Sequence, residues 1–166
     1  LKKVAALCYA TDELLDDATA LQSWITNSVP QELRFKVEQA IVNGDGTGKP
    51  LGMLQAGCLV SAVRTDASEI DALDLARMWA ARYPGVNDYV WLANSSIYPQ
   101  LFNLSVGQMP VYLPAGGLSA SPYGQIFGRP VVETEYNPYL GTLGDIMLVS
   151  PSQYAMIAKG GVQSAS

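Results

Sequence analysis

The sequence predicts an α+β chain, and three observations carry that prediction. A long helical pattern begins near Asp12 and runs to about Asn43. A glycine-rich stretch, residues 40–54, then breaks it. Beyond that break, helical and strand-like segments alternate from 60 to 159, which predicts a mixed sheet covered by helices.

Val4-Ala5-Ala6-Leu7-Cys8-Tyr9 reads as a first strand, weakened by its alanines. Thr11 is placed to cap the following helix, with Asp12 and Glu13 favourable at its positive end. Leu14, Ala18, Leu21 and Ile25 fall on one helical face, which Leu15 and Trp24 widen. Pro30 interrupts the pattern. Ser28-Val29-Pro30-Gln31 has capping-box form, so the expectation is either two helices or one that bends. Leu33, Val37, Ala40 and Ile41 continue the buried face.

The break itself is dense in Gly44, Gly46, Gly48 and Gly52, with Pro50 among them. Asn43-Gly44 suits a helix C-cap, and Pro50 forbids early resumption. A phosphate-cradling loop needs two glycines with four residues between them, then Lys-Ser/Thr, between a strand and a helix. Here only three residues separate Gly44 from Gly48, Pro50 follows Lys49, and a helix comes first. A calcium loop counted from Asn43 would need glutamate where Leu54 stands. The reading is therefore a structural turn built by Gly44, Gly46, Gly48, Pro50 and Gly52. The alternative is a small anion- or ligand-binding domain using the Gly44–Gly52 loop.

A second helix is expected from Ser68 to Arg82, with Ile70, Leu73, Ala76 and Ala80 inward and Tyr83-Pro84-Gly85 ending it. Tyr89–Ala93 is an apolar run that suits a buried strand. Asn94-Ser95-Ser96 caps a short helix to about Leu104, which Gly107 closes. Residues 110–128 are rich in Pro, Gly and Ser and suggest a loop or irregular hairpin around Val111-Tyr112-Leu113. Three strands follow, at Pro130–Tyr136, Asp145–Val149 and Tyr154–Lys159, and the tail from Gly160 is expected to fray.

Composition excludes whole classes of function. The chain of 166 residues carries a net charge of −5, so no global basic field holds nucleic acid. It has no histidine, the commonest general base and metal ligand. Cys8 and Cys58 give neither a disulfide framework nor a metal spacing and read as small, semi-buried hydrophobes in a reducing compartment. No stretch is long and apolar enough to span a membrane, and no signal peptide opens the chain. Asp12, Glu13, Asp16 and Asp17 read as helix-start acids rather than a metal site. Glu133 and Glu135 share one solvated strand face. Eight tyrosines, Tyr83, Tyr89, Tyr98, Tyr112, Tyr123, Tyr136, Tyr139 and Tyr154, have few cations nearby beyond Arg82 and Arg129. They suit cores and protein interfaces better than base stacking. No catalytic residue, metal ligand or cofactor is expected, and the chain is not read as an enzyme.

Four motifs in order carry a resemblance: Thr11–Asp17, Asn43–Gly52, Gly128-Arg129-Pro130-Val131-Val132 and Gly141-Thr142-Leu143-Gly144-Asp145-Ile146. Together they resemble the major capsid proteins of tailed bacteriophages, the Hong Kong 97 fold shared with encapsulin shells. The resemblance implies a peripheral domain holding a long spine helix (residues 1–59), an axial domain (60–159) and a frayed tail (160–166). It implies a structural shell subunit that self-assembles in pentamers and hexamers, with scaffold or portal proteins as further partners. No sequence-specific nucleic acid or membrane partner is implied. The location implied is the virion capsid, assembled in the bacterial host cytoplasm. Against the family pattern, the extended loop and terminal strands are missing, so this chain alone is expected to fold without closing into shells.

Overall fold

The structure is a computed structural model that describes residues 4–9, 18–106, 109–110, 112–113 and 124–157. The chain divides into two compact units. One comprises Leu1–Ala56 with Met156–Ser166, and the other Gly57–Ala155.

The first unit is dominated by α1, Ala18–Asn43. The start expected near Asp12, with its Thr11 cap and its acids, lies outside the described residues. Pro30 sits inside one continuous helix, so the separate second helix does not form. Proline deletes only the donor that would serve the Thr26 carbonyl, and helical bonds on either side hold the element together. Thr26 Oγ1 donates to the Gln22 carbonyl at 2.7 Å, a contact of the kind that bends helices. Leu21, Ile25, Leu33, Val37, Ala40 and Ile41 are half-buried, whereas Trp24 is exposed and does not widen the inner face. Val42, near the C-terminus, is the buried side chain of this helix. A 3-10 turn, Met53–Gln55, follows the glycine-rich break.

Two expected strands are absent. Residues 4–9 and 154–157 form none, and all of 4–9 are exposed. β-propensity alone does not make a strand, because the ladder supplies its hydrogen bonds, and no described strand lies alongside either segment. Tyr154 instead donates its N–H to the Pro151 carbonyl at 3.2 Å, closing the 3-10 turn Pro151–Gln153. Residues 158–159 lie outside the described set.

The second unit holds the sheet. Its strands are β1 (Val90–Ala93), β4 (Tyr112–Leu113), β5 (Gln125–Ile126), β6 (Arg129–Glu133) and β7 (Ile146–Val149). They lie in the order β4-β5-β6-β1-β7. Only β1 and β6 run parallel, with Trp91 opposite Val131 and Ala93 opposite Glu133. β7 pairs antiparallel to β1, Trp91 facing Leu148. A separate ribbon pairs β2 (Ser105–Val106) with β3 (Met109–Pro110). The strands expected at Tyr89, Pro130 and Asp145 are thus found. β6 ends at Glu133, short of the expected Tyr136, and the Thr134 N–H gives the ladder its last bond, to the Ala93 carbonyl at 3.0 Å.

Two helices bring apolar side chains to this sheet. α2 spans Ala72–Ala80 and α3 spans Tyr98–Asn103, the latter entered through a 3-10 turn, Ser95–Ile97. Leu75 from α2 and Ile97 and Leu101 around α3 join Trp91, Ile126 and Val131 in one core, all fully buried. Trp91 Nε1 donates to the Ile126 carbonyl at 3.1 Å, so the indole adds apolar area without an orphan donor.

α2 corrects the sequence reading in two ways. It opens at Asp71, whose carboxylate accepts from Ala72 N and forms a capping box with Asp74, and not at Ser68. Ser68 folds back on Asp66, whose carboxylate accepts its N–H and hydroxyl. The inner face is Ala72, Leu75, Met78 and Trp79, while Leu73, Ala76 and Ala80 are exposed. Starting the helix later rotates which residues meet the sheet.

The β5–β6 turn places Phe127 at φ 51° and Gly128 at φ 70°. Such a two-residue turn favours Asn or Gly, and a left-handed phenylalanine costs about 1–2 kcal/mol. Stacking on Trp79, with ring centroids 5.6 Å apart, offsets that cost.

Beyond β7, the Ser150 hydroxyl and the Ser152 N–H both donate to Asp88. Hydrogen bonds from Ser150 and then Ser152 hold the Asp88 carboxyl down to about 2, from an ordinary 3.8. A carboxyl depressed in the folded state contributes stability that is full above pH ~4 and is lost as pH falls through ~2. Ser150→Ala is expected to return Asp88 toward ordinary titration, read by carbon-13 NMR of the side-chain carboxyl. An unchanged titration midpoint would refute the assignment.

Candidate functional site

The glycine-rich turn folds back on the end of α1. The Gly44 N–H donates to the Ala40 carbonyl at 2.8 Å, terminating the helix, and the Gly52 N–H donates to the Gly44 carbonyl at 2.8 Å. Asp45 and Leu51 form an antiparallel bridge between these ends. At the tip, Asp45 Oδ1 accepts from Thr47 N at 3.0 Å, and Lys49 Nζ lies 3.9 Å from Asp45. That ion pair is exposed and contributes little.

The glycines divide by physical role. Gly46 and Gly48 sit at φ 78° and 77°, in the left-handed region. Gly44 and Gly52 are buried close approaches. A Cβ on Gly44 would lie 2.1 Å from the Pro50 carbonyl oxygen, and one on Gly52 would lie 2.4 Å from the Gly44 nitrogen. Pro50 therefore enters through its carbonyl, seated against Gly44. A carboxylate occupies the mouth of the turn, and three of its N–H groups already have acceptors. An anion would meet the wrong charge there.

The second unit holds two buried carboxylates that the sequence does not single out. Asp145 accepts from Arg64 Nη2 at 2.6 Å and Ile146 N at 2.8 Å, both on Oδ1, and from Gly141 N at 2.9 Å on Oδ2. Asp74 accepts from Thr65 N, Thr65 Oγ1 and Arg77. The segment leading into α2 is thus pinned at adjacent residues, Arg64 and Thr65. Gln100 pins it again, accepting from Ile70 N at 2.9 Å and donating to the Ser68 carbonyl at 3.1 Å. Asn137 closes the same end of the sheet. Its amide donates to the Gly144 carbonyl at 2.8 Å, its oxygen accepts from Thr134 Oγ1, and its carbonyl accepts from Asn94 Nδ2 at 2.8 Å. No buried side-chain polar atom among the described residues lacks a partner. These carboxylates are spent on holding backbone and arginine side chains, an arrangement that builds a scaffold.

The remaining residues noted from sequence scatter. Glu133 and Glu135 are exposed at the end of β6 and just beyond it. Tyr89 is buried and donates its hydroxyl to the Tyr83 carbonyl at 2.8 Å, whereas Tyr83 and Tyr139 are exposed. Asp12, Glu13, Asp16 and Asp17 lie outside the described residues. Among the described residues no three His, Cys, Asp or Glu side chains gather as a metal site, and no helix is long and apolar enough to cross a membrane. Cys8 and Cys58 are exposed free thiols, against the expectation of semi-buried ones.

Comparison with known proteins completes the picture. A search of curated proteins finds no significant match. Among solved structures, the chain is similar to the capsid of an empty GTA particle computed with C5 symmetry. The TM-score is 0.53 at 21% identity, covering 79% of this chain and 48% of that one. The chain thus spans about half the length of that capsid chain, and at this identity the likeness speaks for the fold alone. The profile of the phage capsid family matches residues 1–166. With a match over its whole length, the chain belongs to the phage capsid family.

Proposed function

We propose that the chain is a structural subunit of an icosahedral phage or prophage shell with the Hong Kong 97 fold, assembled from copies of itself in rings of five and six. The observation that carries the reading is the family match over residues 1–166. The fold likeness to a phage-like capsid and a buried polar network spent on scaffolding support it. In this reading α1 is the spine of a peripheral domain that includes the glycine-rich turn, and the unit Gly57–Ala155 is the axial domain. Gly44, Gly46, Gly48, Pro50 and Gly52 then act as a structural turn that sets how the chain leaves the spine. The shell forms in the host cytoplasm, with scaffold or portal proteins as further partners, and needs no cofactor. Large exposed apolar side chains such as Val63, Tyr139 and Leu143 suit a surface that neighbouring subunits cover. Sedimentation velocity across a concentration series is the test. Concentration-dependent association into small discrete oligomers is expected, and a strict monomer up to roughly millimolar concentration, where even weak specific contacts are populated, would overturn the reading.

A further inference from the structure

The sheet of the second unit has unlike ends. β1 and β6 run parallel, so one end of the sheet carries both strand starts and the other both strand finishes. At the start end, Phe127 is stacked on Trp79, and the Arg82 guanidinium lies 4.0 Å from the Trp79 ring centroid. Arg129 opens β6 two residues after Phe127. At the finish end, Glu133 closes β6 and Glu135 follows, both exposed.

Charge pairing separates the two start-end arginines from the unit's other cations. Arg64 and Arg77 are taken by Asp145 and Asp74. Among the described residues, Arg82 and Arg129 have no carboxylate partner, and Glu133 and Glu135 have no cationic one. Asp88 shares the start end, but its carboxylate is held by Ser150 and Ser152. Phe127 is 43% exposed although its backbone sits in the left-handed region, so a strained turn presents an aromatic ring to solvent. Arginine and large aromatic rings are the residue types that dominate protein–protein contacts.

We propose that the corner formed by Trp79, Arg82, Phe127 and Arg129 docks on the Glu133–Glu135 edge of a second copy of this chain. The inference rests on the shell reading and names the surfaces through which neighbours meet. A closed ring needs a head-to-tail contact between two different patches, and a self-complementary patch would give only dimers. Unlike charges at opposite ends of β6, about 13–20 Å apart along the strand, meet that requirement.

The test is charge reversal in the full chain, with folding checked by circular dichroism and self-association measured by sedimentation. Arg82→Glu with Arg129→Glu is expected to weaken association about tenfold or more, as is Glu133→Arg with Glu135→Arg. Mixing the two reversed proteins is expected to restore association between unlike partners. If a reversed protein does not fold, the neutral changes Arg129→Gln and Glu135→Gln replace it, with a smaller loss expected. Wild-type-like association of the reversed or neutral variants, or a mixture that fails to associate, overturns this contact and leaves the shell reading standing. A strictly monomeric wild type overturns both. Salt-dependent oligonucleotide binding that Arg82→Glu abolishes, with self-association untouched, overturns the contact in favour of a nucleic-acid surface.

Discussion

Arg64→Met is expected to destabilise the second unit by about 3–5 kcal/mol, because it strands a buried carboxylate. The Asp145 side chain is only 3% exposed and that of Arg64 20%, with 2.6 Å between charged atoms. Without the guanidinium, Asp145 keeps two backbone N–H donors and loses its counter-charge. The prediction concerns the pair being broken, not the worth of the pair. Arg64→Met combined with Asp145→Leu removes both charges and is expected to recover part of the loss, the remainder being the Gly141 and Ile146 N–H groups left without their acceptor. Arg77→Met is the matched control. Arg77 also pairs with a buried aspartate, Asp74, but its own side chain is 49% exposed. Asp74 keeps both donors of Thr65 when Arg77 is gone. A loss below about 1 kcal/mol is expected there. Urea unfolding followed by the fluorescence of Trp79 and Trp91 measures all three. Equal losses for Arg64→Met and Arg77→Met would show that burial of the pair does not decide its contribution.

The same carboxylates show where sequence reading stops. Arg64 and Asp145 are 81 residues apart, and nothing local to either residue announces the other. Asp74 sits in the helix that apolar spacing had phased on Ile70, Leu73, Ala76 and Ala80. A charged residue is assigned outward by default, and alanines weigh equally on either face. Once Asp71 is the cap, Leu75, Met78 and Trp79 repeat at helical spacing just as well, and Asp74 turns inward to Thr65. The legible parts were those whose signal is local. The apolar run at 90–93 made an interior strand, Asn94 capped the following turn, and the glycine cluster ended α1. Val4–Tyr9 and Tyr154–Ile157 have strand-forming residues without a ladder, since pairing is a property of two segments. The candidate turn was readable as a turn from its glycines. Which of them need left-handed backbone and which need absent side chains is a three-dimensional fact.

That division yields the last expected result: Gly44→Ala is far more damaging than Gly48→Ala, although Gly48 has the unusual backbone. At Gly48 an added methyl meets nothing within 4 Å, so only the left-handed conformation at φ 77° resists it. That costs about 1–2 kcal/mol. At Gly44 the methyl would lie 2.1 Å from the Pro50 oxygen and 2.4 Å from the Ala40 oxygen. Both are backbone atoms, so no rotamer change relieves the contact. The turn must open, which breaks the Gly52-to-Gly44 hydrogen bond and the Asp45–Leu51 bridge. Overpacking and lost buried hydrogen bonds together are expected to exceed about 3 kcal/mol. Amide hydrogen exchange over Val37–Val42 and Leu51–Gln55 reads this locally, with protection collapsing in Gly44→Ala and falling modestly in Gly48→Ala. A Gly44→Ala protein no less protected than Gly48→Ala would refute the close-approach account. Thermal melts with and without millimolar phosphate address the rival use of the turn. No phosphate shift is expected in wild type, because the Asp45 carboxylate occupies the turn's mouth and three of the turn's N–H groups are already bonded. A shift that Gly48→Ala abolishes would instead make the turn an anion site.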